Sequence, residues 1–207
     1  MAGLRERKKA RTHAAISDAA IALFLEHGFD QVSVAQVAEA AEVSKRTVFA
    51  YFPAKEDLVV HRFADHESEP ARVVRSRPPG VRPLAALRDH FLAGLRDRDP
   101  VTGLNDLPQI LALTRMIMET PALRTRAVTF QDGAEQALAA ALHETADVPE
   151  LTARLAAAHV VRTHWLLAMD NFDALLGGRA AADRHPAAVA DAEHAFALLA
   201  DGLGTYV

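Results

Sequence analysis

Residues 31–55, QVSVAQVAEAAEVSKRTVFAYFPAK, hold two short helical patterns joined by a tight turn and closed by a proline, and this spacing constrains the chain more than any other stretch. Ser33 is followed three residues later by Gln36, the signature of a capping box, and Val32 and Val37 stand where a hydrophobic staple would join them. Val37, Ala38 and Ala41 then fall on one face of a helix running to about Ala41, with Ala38 small enough for a second helix to cross closely. Glu42 and Val43 make the turn. Ser44 caps the second helix and Pro53 ends it, because the residue before a proline avoids the helical region. Val48, Phe49 and Phe52 are expected on the buried side, which leaves Lys45, Arg46, Thr47 and Tyr51 outside. The pattern is that of a helix-turn-helix whose second helix begins with two cations. Such a helix start approaches base edges in a DNA major groove, so residues 44–51 are expected to enter one.

The flanks fit that reading. Residues 1–4 are expected to be disordered. Arg5, Arg7, Lys8, Lys9 and Arg11 stand against Glu6 alone. A run of this kind is either a solvated charged face or a contact to phosphate, and its place directly before the two-helix stretch favours the phosphate contact. A helix continuing to His27 would bury Ile16, Ala19, Ala20, Leu23 and Phe24, with Gly28 ending it and Phe29 packing back on Phe24. The formal net charge of the 207 residues is −4, which is unexpected for a DNA binder until it is divided. Residues 1–62 hold 9 Lys/Arg against 8 Asp/Glu, whereas residues 63–207 hold 14 against 19. A basic tip on an acidic body orients a molecule toward a phosphate backbone and limits indiscriminate binding.

Geometry assigns roles within the reader. Arg46 is the candidate for a bidentate contact to guanine. Lys45 reaches a base or a phosphate, and Thr47 offers its methyl to thymine or its hydroxyl to a phosphate. Tyr51, Ser33 and Lys55 are phosphate candidates, Lys55 because it opens the next helix, where backbone amides favour anions. Ser33 and Ser44 have capping as a sufficient reason to be present, and DNA contact would be additional.

Phe24, Gly28, Phe29, Val32-Ser33-Val34, Val37-Ala38, Ala41, Val43-Ser44, Thr47, Phe49, Tyr51-Phe52, Lys55 and Leu58 together resemble the DNA-binding domain of the tetracycline-repressor (TetR) family of bacterial regulators. The resemblance covers roughly residues 10–62 without a gap and strengthens the DNA roles of Arg46, Tyr51 and Lys55. The chain departs from that family at two places. The family usually has Gly where Glu42 stands, and a left-handed backbone there costs a non-glycine residue about 1 kcal/mol. It usually has Tyr where Phe49 stands, and the hydroxyl that often touches a phosphate is missing here.

The rest of the chain reads as helix, giving an all-α fold of about nine helices: a reader at 1–54 and an effector-binding and dimerisation domain at 55–207. A helix over Lys55–Ser68 should be kinked or broken by Pro70, and Arg77-Pro78-Pro79-Gly80 is a clear break. Further helices are expected over 83–98, 106–120, from Pro121, from a capping-box-like pair at Asp147 and Glu150 to Gly177-Gly178, and over 186–203. In the last one Val189, Phe196 and Leu203 recur every seven residues with Ala192 and Leu199 between, a seam that fits a homodimer through the last two helices. The resemblance implies the same dimer, and a twofold reader would bind a palindromic operator.

The stretch Arg115 to Arg124, RMIMETPALR, with the alanine-rich helix after it and Trp165, resembles a TetR subgroup with an acyl-CoA-like ligand-binding domain. A pocket between helices needs apolar walls and a few polar groups. Met116, Phe130, Trp165, Met169 and Phe172 are candidate walls, each also readable as plain core. Arg115, His159, Arg162, His164 and Asn171 are polar residues on apolar helices, placed there for structural pairing or for recognition of a small-molecule effector.

Several classes fall away. With no cysteine there is no disulfide framework, thiolate metal site or cysteine nucleophile. His61/His66 and His159/His164 are five apart, poor spacing for two ligands on one helix face, and no HExxH, phosphate loop or nucleophile elbow is present. No enzyme activity, metal or cofactor is expected. No run approaches a membrane span and Ala14 to Leu25 lacks a processing site, so a soluble, cytoplasmic protein is expected. A DNA-binding protein without an effector, constitutive or architectural, is the alternative to an effector-released repressor.

Overall fold

The computed structural model describes residues 2–202, without the side chains of residues 2, 4–6 and 62–65. Among the described residues all regular structure is helical. The helices are α1 (Ala2–His27), α2 (Val34–Ala40), α3 (Lys45–Tyr51), α4 (Asp57–Glu67), α5 (Glu69–Ser76), α6 (Pro83–Asp97), α7 (Pro108–Glu119), α8 (Pro121–Ala146), α9 (Glu150–Leu176) and α10 (Ala181–Asp201), with one 3-10 turn at Pro100–Thr102. The count rises to ten because the helix ahead of Pro70 stops at Glu67 and a new one, with the proline in its first turn, begins at Glu69. No helix of the described residues is long and apolar enough to cross a membrane.

Two compact units emerge from the packing: residues up to Arg62 together with Ala112–Val128, and Phe63–Leu111 together with Thr129 onward. In the first, α1 buries Ile16, Ala20 and Phe24. Gly28 ends the helix with φ +88, and the Phe24 and Phe29 rings lie 5.0 Å apart. The helix begins at Ala2, earlier than expected, because the residues from Leu4 to Ala10 are all good helix formers and extend it backward. Ser17, buried in α1, donates to the Leu58 carbonyl of α4 at 3.2 Å. Asp57, also buried, accepts from the Ala54 amide at 3.0 Å and from Arg126 Nε at 2.7 Å.

The second unit is built on α6, α9 and α10. Leu87, Phe91 and Leu95 meet Ala157, Val160 and Leu167 of α9 and Ala188, Ala192 and Phe196 of α10 in one core. Alanine at so many contact positions lets the helices approach closely. Asn171 and Asp106 are both paired. Asn171 donates to the Thr102 carbonyl at 2.9 Å and accepts from Arg184 Nε at 2.9 Å, so its role is structural. Asp106 accepts from the Ala181 amide at 2.8 Å, which caps α10 from a distance and holds that carboxyl below its usual range.

Three expectations are corrected here. The seam of the last helix faces its own domain: Ala192 and Phe196 are buried, and Val189 and Leu199 pack against the same core, while Leu203 lies outside the described residues. A helix long enough to show a seven-residue repeat shows it equally when the stripe packs within one chain. Asp147 does not cap α9; it is left-handed at φ 51, and Pro149 takes the N-cap place. The last helix starts at Ala181, so Pro186 lies inside it.

His164 lies against this core between Phe91, 5.0 Å away and stacked, and Phe196 at 5.6 Å. Its Nε2 is buried without a hydrogen-bond partner, and burial pushes its pKa down to about 4 from the ordinary 6.5. The neutral ring therefore adds stability that is complete above 6.5 and is lost as the pH falls from there toward 4. Glu69 accepts from His66 at 2.6 Å and pairs with His90 at 3.3 Å, contacts that hold its carboxyl well below the usual range and raise His90. The raised His90 acts in the opposite sense, since its contribution is lost as the pH rises. The His164→Phe variant isolates the buried ring. In urea melts from pH 7.5 to pH 5, wild type should lose on the order of 1 kcal/mol more than the variant. Equal losses would show that the fold does not hold His164 neutral below its ordinary pKa.

Candidate nucleic-acid interface

Seven residues are too few to hold a helix in water, so α3 exists because of its ends and its buried side. Ser44 Oγ accepts from the Thr47 amide at 3.0 Å and shares a 2.8 Å hydrogen bond with the Thr47 hydroxyl. Val48 and Phe52, one turn apart, are 1% and 2% exposed. Ahead of it, α2 carries the full capping box: the Gln36 amide donates to Ser33 Oγ at 3.3 Å and the Ser33 amide donates to Gln36 Oε1 at 2.8 Å. Val32 and Val37 are both buried, as a staple requires. Between the helices Glu42 is left-handed, with φ 53, at the position where glycine would be the unstrained residue.

The outer side of α3 differs from expectation at one residue. Phe49 is 43% exposed and is not part of the buried side. Phe49 stands at the edge of the side that Val48 and Phe52 bury, one turn after the exposed Lys45, and falls outside it. Lys45 Nζ lies 5.9 Å from the Phe49 ring centre. Lys45, Arg46, Phe49 and Ala50 thus form a continuous exposed face, and Arg46 makes no ion pair among the described residues. Hydrophobicity alone sends a phenylalanine inward; the signal that could have placed it outside was its spacing from Lys45.

The other DNA candidates are placed as follows. Thr47 is half-buried and its hydroxyl is engaged with Ser44, which leaves its methyl as the freer group. Tyr51 is half-buried with its ring 6.2 Å from His13. Ser33 and Ser44 are exposed at their caps. Lys55 lies in the turn before α4 and does not open that helix. Its ammonium donates to the Phe29 carbonyl at 2.5 Å and stands 4.3 Å from the Phe29 ring centre, so it fastens the end of α1. Arg7, Lys8, Lys9 and Arg11 are exposed along α1; the side chain of Arg5 lies outside the described residues.

The residues expected to line an effector site do not gather in one compact unit. Arg115, exposed, and Met116, half-buried, sit on α7 in the first unit. Phe130, Trp165 and Met169 are half-buried in the second. His159 and Arg162 are exposed on α9, in line with Leu155 and Leu166, which with Leu151 are each more than half exposed. That face has the spacing of a helix-helix contact rather than of a pocket wall.

Residues 16–61 match the model of the bacterial regulatory proteins of the tetR family. The chain is 35% identical over 122 residues, 58% of its length, to the HTH-type transcriptional regulator TcmR of Streptomyces glaucescens, and the match spans 54% of that protein's length. The fold is similar to that of GusR of Salmonella enterica, with a TM-score of 0.57 at 20% identity over 92% of this chain and 94% of that one. It is also similar to that of the transcriptional regulator FadR of Bacillus subtilis, solved in complex with stearoyl-CoA, with a TM-score of 0.51 at 20% identity over 90% and 96%.

The strain at Glu42 is directly measurable. Glu42→Gly should raise stability by up to about 1 kcal/mol in denaturant melts, the relief of a left-handed side chain less the added freedom of the unfolded glycine. An unchanged or lowered stability would mean that the Glu42 side chain contributes something that offsets the strain.

Proposed function

We propose that this chain is a transcriptional repressor that binds a palindromic DNA operator as a homodimer and is released by a small apolar effector. The observation that carries it is the outer face of α3: two cations and an aromatic ring exposed on a capped helix whose other side is anchored by Val48 and Phe52. Residues 1–54 act as the reader. Arg46 takes a guanine through its bidentate fork, Lys45 takes a base or phosphate, and Tyr51, Lys55 and the caps at Ser33 and Ser44 contact the phosphate backbone.

Residues 55–207 carry the dimer contact and the effector. One reader spans too few base pairs for a specific site, and twofold pairing of two readers supplies the second half-site. The exposed leucines of α9 with His159 and Arg162 support a contact through the last two helices. Phe130, Trp165 and Met169, all in the second unit, remain the effector candidates. An acyl chain is the first ligand class to test, since a neighbour of this fold was solved with stearoyl-CoA. Such a ligand acts only through a difference in affinity between the DNA-bound and released states.

Selection of bound DNA from a random pool tests the reader. Wild type should enrich a palindrome, and Arg46→Ala should lose preference at one symmetric base pair while costing about 1–3 kcal/mol per contact. Enrichment of no sequence, with weak and salt-sensitive binding, would reduce the function to nonspecific phosphate contact. On the selected operator, stearoyl-CoA should weaken binding; if it neither binds nor changes operator affinity, the acyl class is ruled out.

A further inference from the structure

We propose that Phe49 is a specificity-determining residue of the reader, its ring packing on the C5 methyl of a thymine in the major groove. The assignment rests on the DNA-reader function above and names what one part of that face recognises. Phe49 is the large apolar side chain that α3 leaves exposed, at 43%, while its neighbours Val48 and Phe52 are buried. Its ring has no hydroxyl and cannot bond a phosphate or a base edge. Among the groups that base pairs present in the major groove, the thymine methyl is the apolar one, and apolar side chains pair with it.

The surroundings place the ring among the reading groups. Lys45 precedes it by one turn with Nζ 5.9 Å from the ring centre, and Arg46 and Ala50 are exposed beside it. This cationic flank draws the ring toward the duplex, where a contact with a methyl removes both apolar groups from water. Phe49 follows Arg46 by three residues, a rise of about 4.5 Å, so the thymine lies within about one or two base pairs of the guanine read by Arg46.

The test replaces each thymine of the selected operator by deoxyuridine, which removes the C5 methyl and nothing else. Wild type should lose about fourfold in affinity per half-site at one symmetric thymine pair, a loss that Thr47→Ser leaves in place and Phe49→Ala removes. Phe49→Ala should bind the thymine operator more weakly and no longer distinguish thymine from uracil at that pair. Phe49→Leu, which keeps an apolar side chain, should retain part of the discrimination. The wild-type measurement needs no variant to fold. A palindrome bound equally well with every thymine replaced overturns this assignment and leaves the reader function standing. Methyl sensitivity that persists undiminished in Phe49→Ala also overturns it. A wild type that enriches no palindrome removes the reader function and this assignment together.

Discussion

The burial of Val48 and Phe52 is the interaction on which the reader depends. A helix of seven residues has too little internal hydrogen bonding to persist, and its cap at Ser44 supplies only part of what is missing. Two large side chains one turn apart, both nearly inaccessible to water, fix the helix and its rotation about its own axis. That rotation decides which residues can meet DNA. Lys45, Arg46, Phe49 and Ala50 are outside because Val48 and Phe52 are inside. The strained turn at Glu42 and the capping box on α2 serve the same end by fixing where α3 begins.

The second compact unit solves a different problem. Its long helices carry alanine at many contact positions, which packs them tightly but gives little directional specificity. Polar pairs supply direction: the buried Asn171 between the Thr102 carbonyl and Arg184, and the exposed Asp106 on the first amide of α10. His164 is the exception, a buried imidazole nitrogen with no partner, kept neutral by its surroundings. Such a group is tolerated near neutral pH and becomes a liability on acidification.

Local chemistry was legible in the chain where one residue type has one good reason to be present. The Ser33–Gln36 box, the Ser44 cap, the stop at Gly28 and the break ahead of Pro70 all follow from short-range rules. Features that depend on distant partners were not. Phe49 reads as core by composition and is outside because its neighbours fill the core first. The heptad stripe of α10 is real, but a period does not say which chain the stripe packs against, and Phe196 and Ala192 meet α6 and α9 of their own chain. Lys55 has the composition of a phosphate contact and is turned to the Phe29 carbonyl.

The proposed function requires α3 to lie in the major groove with its first turn against base edges. Methylation interference on the bound operator tests it most directly, because dimethyl sulfate marks guanine N7 in the major groove and adenine N3 in the minor groove. Binding should be blocked by N7 methylation at one guanine in each half-site, placed symmetrically about the dyad, and unaffected by N3 methylation at the adenines beside it. Interference confined to adenine N3, or absent from both, would contradict the placement of α3 and with it the role of its exposed face.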